Sequence, residues 1–134
     1  MTKERLRNYQ NLKREQQQLR HQLDVVEAAL YYPKVQQLDA MPHGGRTDGN
    51  PQEDLAIHHI ELVERYKAKL WELAEEQLEI EKAIEPLDPT SRMLLRYRYL
   101  DGLKWEEVCC QMGYSWRQTH RLHGDALQRL RASE

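Results

Sequence analysis

The sequence predicts an all-α protein: a long, coiled-coil-like N-terminal helical hairpin followed by a three-helix C-terminal helix-turn-helix unit. Three observations lead there. Leu, Glu, Gln, Arg and Ala carry the 134 residues, Phe is absent and β-branched runs are missing, a composition that favours helix almost throughout. Two long stretches place apolar residues alternately three and four apart, the spacing of a heptad seam. Between the periodic stretches, Gly, Pro, Asn and Asp gather at positions that suit turns. The expected boundaries are 1–87 for the hairpin, with its loop near 42–50, and 88–134 for the helix-turn-helix unit.

The first helix spans residues 3–31. Its seam reads Tyr9, Leu12, Gln16, Leu19, Leu23, Val26 and Leu30, with Gln16 the one polar occupant. Pro33 ends or kinks this helix, and Lys34 to Met41 is placed to add a short turn. Pro42 to Asn50 (PHGGRTDGN) is a connector by composition. Its Gly-Gly pair lacks the spacing and the Lys-Ser/Thr of a nucleotide-binding loop. The second helix starts with Asn50 as cap, Pro51 at the first helical position and Glu53 placed as in a capping box. Its expected seam is Val63, Tyr66, Leu70, Leu73, Gln77, Ile80, Ile84 and Leu87, with an acidic outer face. Pro86 and Pro89 stop it. The two seams fit a hairpin within one chain and equally a pairing between chains.

A third helix opens at Asp88-Pro89, with Met93, Leu94, Tyr97 and Leu100 as its apolar face and Asp101-Gly102 as the following turn. Then comes WEEVCCQMGYSWRQTHRLHG, residues 105–124. Val108 and Met112 mark one helix face. Gly113 sits where a turn needs φ > 0, and Tyr114 is expected as an apolar plug behind it. Ser115 is a good N-cap. Thr119, Leu122, Ala126 and Leu130 form the buried stripe of the last helix, and Cys109 is small where the two helices must approach. This layout sends the last helix into a DNA major groove.

Charge distribution agrees. The chain is slightly acidic overall, yet residues 88–131 hold eight Lys and Arg against five Asp and Glu, while residues 1–87 hold twelve against sixteen. The basic end is the end with the helix-turn-helix. The candidate DNA-contacting residues are Lys104, Ser115, Trp116, Arg117, Gln118, His120 and Arg121. Arg pairs bidentately with guanine and Gln with adenine; Lys104, Ser115 and the helix ends suit phosphates. A plain exposed amphipathic helix is the bland alternative.

From Lys104 to Arg131 the chain resembles region four of bacterial sigma factors, through Glu106-Glu107-Val108, Met112-Gly113, Ser115 and the closing Ala126, Leu127, Leu130 and Arg131. Leu94 to Gly102 resembles the helix before that motif. The whole chain is similar to small phage and prophage proteins of Gram-positive bacteria, through Met41-Pro42-His43-Gly44-Gly45 and the run from Arg98-Tyr99 to Leu127. Some of those relatives regulate late phage transcription. The sigma-factor resemblance implies that Trp116, Arg117, Gln118, His120 and Arg121 read bases; Trp116 stands where those factors carry a basic residue.

Other chemistry has little support. His120 and His123 are three apart and Cys109 and Cys110 lie one helix away, but zinc needs converging ligands, so no metal and no cofactor is expected. No nucleophile–base pattern marks an enzyme. Adjacent helical cysteines point apart and do not suit a disulfide; with no signal peptide and no apolar run of roughly 20 residues, the expectation is a cytoplasmic protein without membrane contact. The expected function is a phage or prophage DNA-binding transcription regulator that recognises promoter or operator DNA through the helix after Ser115. Double-stranded DNA is its partner, and host RNA polymerase and a second copy joined through the N-terminal helices are further candidate partners. The alternatives are a DNA-packaging adaptor resembling a small terminase subunit, and an interaction module that no longer binds DNA.

Overall fold

The computed structural model describes residues 1–32 and 50–133. Among them are five helices: α1 (Lys3–Tyr31), α2 (Pro51–Ile84), α3 (Pro89–Leu95, continued by a wider turn over Arg96–Leu100), α4 (Trp105–Met112) and α5 (Trp116–Ala132). The protein is all-α, with α1 and α2 forming a long hairpin and the shorter helices packing together after it. The expected break at Pro33, the turn over 34–41, most of the 42–50 connector and the Met41–Gly45 motif lie outside the described residues. Two compact units divide the chain: Met1–Lys13 with Glu72–Glu134, and Arg14–Trp71.

In the Arg14–Trp71 unit, the core is Leu23, Val26 and Leu62, with Leu19, Leu30, Leu55, Val63 and Tyr66 packed against it. Asn50 starts α2 as expected, its side chain accepting from the Gln52 amide at 3.1 Å. Gln16 does occupy the seam, and its amide donates to the Tyr66 hydroxyl at 2.9 Å, so the polar residue is satisfied rather than stranded. The seam of α2 departs from the expected one. Leu62 is fully buried, while Leu70 is 41% exposed. The position that steps in is Lys69, half-buried, whose ammonium reaches Glu15 at 2.8 Å. Strict three-and-four stepping through Leu55, His59, Leu62, Tyr66 and Lys69 therefore overrides hydrophobicity: a Lys stem covers apolar surface while its head stays at the edge. His59 likewise lies 3.3 Å from Glu27.

The other unit builds the larger core. Leu6, Tyr9 and Leu12 of α1, Leu73, Ile80 and Ile84 of α2, and Leu87 just after α2 pack with Leu94, Leu95, Tyr99, Leu100, Val108, Ala126 and Leu130. Leu6, absent from the expected seam, is fully buried because α1 is covered here by the C-terminal helices as well as by α2. Gln77 is exposed and Glu76 takes its place in the stepping, paired with Arg5 at 2.6 Å. Gln77 still accepts from the Tyr9 hydroxyl at 3.3 Å.

Asp88 caps α3 as expected: its carboxylate accepts from the Ser91 amide at 3.2 Å and the Ser91 hydroxyl at 2.8 Å, and Arg129 of α5 reaches it at 2.6 Å. The helix then widens, the Asp101 amide donating to the Arg96 carbonyl five residues back at 2.8 Å. Such a turn leaves carbonyls in need of donors. Gln10 donates to the Tyr99 carbonyl and Lys13 to the Leu100 carbonyl at 2.7 Å. Gly102 follows at φ 72°, and a Cβ there would lie 2.6 Å from the Gln10 amide oxygen. The first helix thus clamps the end of α3.

Candidate nucleic-acid interface

Helices α4 and α5 are joined by a turn of three residues. Gly113 ends α4 at φ 73°, ψ 26°, its amide donating to the Cys109 carbonyl. Ser115 then starts α5 through a full capping box: its hydroxyl accepts from the Gln118 amide at 3.2 Å, and the Gln118 side-chain oxygen accepts from the Ser115 amide at 3.1 Å. Thr119, Ala126 and Leu130 are buried and Leu122 half-buried, as the stripe predicts. Tyr114 differs: it is 39% exposed. Its amide bonds back to the Cys109 carbonyl at 3.2 Å and closes the end of α4, but the side chain is too exposed to plug the turn. A Cβ on Gly113 would meet nothing within 4 Å. Its requirement is therefore conformational, and Gly113→Val is expected to cost about 1–2 kcal/mol, with Gly113→Asn costing less. Urea unfolding reads the difference; equal midpoints for both variants and wild type would mean that the turn does not depend on a left-handed residue.

The seven candidate residues separate into groups. Arg117 and Arg121 are exposed one turn apart and have no ion-pair partner among the described residues. With Ser115 and Gln118 they line one open depression at the start of α5. Lys104 is exposed at the N-cap of α4 and makes no side-chain cap. Gln118 is committed to the capping box, so its oxygen is already engaged; bidentate reading of adenine would require that cap to open. Trp116 is 53% exposed. His120 does not stand with the arginines. It is half-buried, its ring centroid 4.4 Å from that of Trp105 and 4.5 Å from that of Trp116, and its Nε2 is buried without a hydrogen-bond partner among the described residues. The Arg98 guanidinium lies 4.7 Å from the centre of the Trp105 ring. Arg98, Trp105, His120 and Trp116 thus form one chain of cation–ring and tilted ring contacts that ends on the Trp116 ring at the start of α5.

His123 was legible only as a candidate metal ligand; among the described residues no cluster able to hold a metal is present. It is a core residue instead, its Nε2 2.6 Å from the Tyr99 hydroxyl. Burial, helped by Lys3, His120, Arg98 and Arg7, lowers its pKa from 6.5 to about 4. The imidazole is therefore neutral near pH 7, and its Nε2 shares one short hydrogen bond with the Tyr99 hydroxyl, whose own pKa burial raises. The unfolded chain binds this proton more readily, so the stabilisation is complete above pH 6.5 and is lost as pH falls toward 4. Between about pH 7.5 and 5 the wild type should lose about 2 kcal/mol more than His123→Gln, which keeps a hydrogen-bond partner for Tyr99. Parallel pH profiles of the urea midpoint for the two proteins would contradict this assignment.

No protein-family model matches the chain, and neither a curated protein nor a solved structure matches it. No described helix is long and apolar enough to cross a membrane.

Proposed function

We propose that this chain is a sequence-reading, double-stranded DNA-binding protein that regulates transcription, with α5 as the helix that enters the major groove. The observation that carries the reading is the turn from Gly113 to Ser115. It starts a capped 17-residue helix whose Arg117 and Arg121 are exposed, line one depression and have no ion-pair partner among the described residues. Helix-turn-helix proteins contact base edges with these first turns, while exposed amides and hydroxyls there suit phosphate. Arg117 and Arg121 are the base-reading candidates, Lys104 and Ser115 the phosphate contacts. Gln118 and His120 act indirectly, one by fixing the helix start and the other by holding Trp116. The resemblance of residues 104–131 to sigma region four, and of the whole chain to small phage and prophage proteins of which some regulate late transcription, supports phage or prophage DNA as the regulated DNA and makes host RNA polymerase a partner to test.

The test is repeated selection of bound duplexes from a random library by the full chain. A recurring sequence motif, bound with a falling affinity as salt rises, is the expected result. Equal recovery of all duplexes, or no binding at low salt, would overturn the reading. Association with purified host RNA polymerase on the selected duplex then separates recruitment of the polymerase from simple operator occupancy.

A further inference from the structure

Helix α2 has a second apolar stripe, opposite the one that faces α1. Within the Arg14–Trp71 unit, Ile57, Ile60 and Trp71 are 51%, 62% and 70% exposed. Exposed Ala56 and Ala68 and the partly exposed Leu70 flank them. Positions 57, 60, 64, 67 and 71 step three and four apart and so form one helix face. The two remaining members are Glu64 and Lys67, with side chains 72% and 65% exposed. The face is continuous and apolar at both ends, with one acid and one base at its middle. A solvated helix face has no need of exposed Ile and Trp at this spacing.

The order of those residues is self-complementary. Consider a second α2 lying antiparallel, with a two-fold axis passing between residues 65 and 66. Ile60 then faces Trp71 of the second copy, Trp71 faces its Ile60, and Glu64 and Lys67 face its Lys67 and Glu64. A parallel pair would oppose Glu64 to Glu64 and Lys67 to Lys67. Moving the axis half a heptad toward the N-terminus would oppose Ile60 to Glu64, and moving it the other way would set Lys67 against Trp71. Apolar matching and charge matching therefore select the same orientation and the same register. We infer that this face is the docking surface for a second copy of this chain, paired antiparallel through the outer stripe of α2. The inner seams are already used within the hairpin, so this pairing leaves them intact. It is independent of the DNA reading and is tested without DNA.

Sedimentation equilibrium of the full chain should give twice the 16.1 kDa of one chain. Glu64→Lys places Lys against Lys at the axis, and Lys67→Glu places Glu against Glu. Each single variant is expected to raise the dimer Kd on the order of tenfold or more, with helix content near that of wild type, because the exposed i,i+3 pair that it removes, 3.9 Å apart within one chain, is worth only about 0.2–0.5 kcal/mol. An equimolar mixture of the two variants should form a heterodimer of near wild-type strength, and the double variant should dimerise again. A wild-type chain that stays at 16.1 kDa overturns the inference, as do single variants that dimerise like wild type. Failure of the mixture to recover overturns the antiparallel register. Ile60→Asn adds a check by removing apolar area without touching charge, and it too should weaken the dimer.

Discussion

Leu62→Asp will abolish cooperative unfolding of the Arg14–Trp71 unit, seen as lost helical signal and a lost thermal transition in circular dichroism. Leu62 is fully buried against Leu23 and Val26, under Leu19, Leu55 and Tyr66. Removing a buried Leu costs about 2–5 kcal/mol, and a carboxylate in its place must be desolvated or protonated at further cost. The sum, above about 4 kcal/mol, exceeds what a core of this size can lose. Leu70→Asp is the matched comparison. Leu70 is partly exposed, and its replacement should change monomer stability by no more than about 0.5 kcal/mol. If Leu70→Asp unfolds the unit and Leu62→Asp does not, the seam of α2 runs where hydrophobicity alone places it, not where the stepping does.

That contrast shows what periodicity conveys and what it hides. Every seam residue expected on α1 is buried or half-buried, because the three-and-four alternation there is uninterrupted and its one polar member finds Tyr66. On α2 the apolar residues are distributed over two faces, so choosing the more hydrophobic of two neighbours picks Leu70 over Lys69 and Gln77 over Glu76. The pairs that hold Lys69 and Glu76 in place join them to Glu15 and Arg5, residues more than fifty positions away, and nothing local announces them. Leu6 is missed for a related reason: a heptad pattern describes one contact stripe, and near its start α1 is covered on two sides.

In the candidate interface, the local signals are the readable ones. A glycine at the left-handed turn, a Ser cap and a 3.6-residue stripe are written in adjacent residues, and the structure has them in those roles; Gln118, expected as a base contact, closes the capping box, a signal just as local. The wide turn over Arg96–Leu100 is not readable, since it depends on donors from Gln10 and Lys13. Nor are the roles of the histidines. His120 and Trp105 are fifteen positions apart, and His123 and Tyr99 twenty-four; only the packing of α5 against α3 and α4 brings them together. His120 lies on the side of α5 that a helical projection shares between groove and core, and two indole rings decide its place.

The largest functional effect is expected from Arg117→Ala combined with Arg121→Ala. Both guanidinium groups are exposed, neither has an ion-pair partner among the described residues, and both line the same depression. Removing them should leave the fold alone: both side chains are exposed, and exposed substitutions fall within about 0.5 kcal/mol. If each arginine contacts a base edge, the pair should cost about 2–6 kcal/mol on the selected duplex, with selectivity relaxed at two positions. If they contact phosphate instead, affinity should fall on every duplex alike and the salt slope should drop by about one per arginine. Gln118→Ala supplies the contrast. Its oxygen serves the Ser115 amide, so its loss should lower helix stability by about 1 kcal/mol before it affects any base. Titrations of the double variant and of Gln118→Ala over a range of salt separate direct contact from capping. A double variant that binds the selected duplex as tightly as wild type would remove α5 as the reading helix, whatever else binds the DNA.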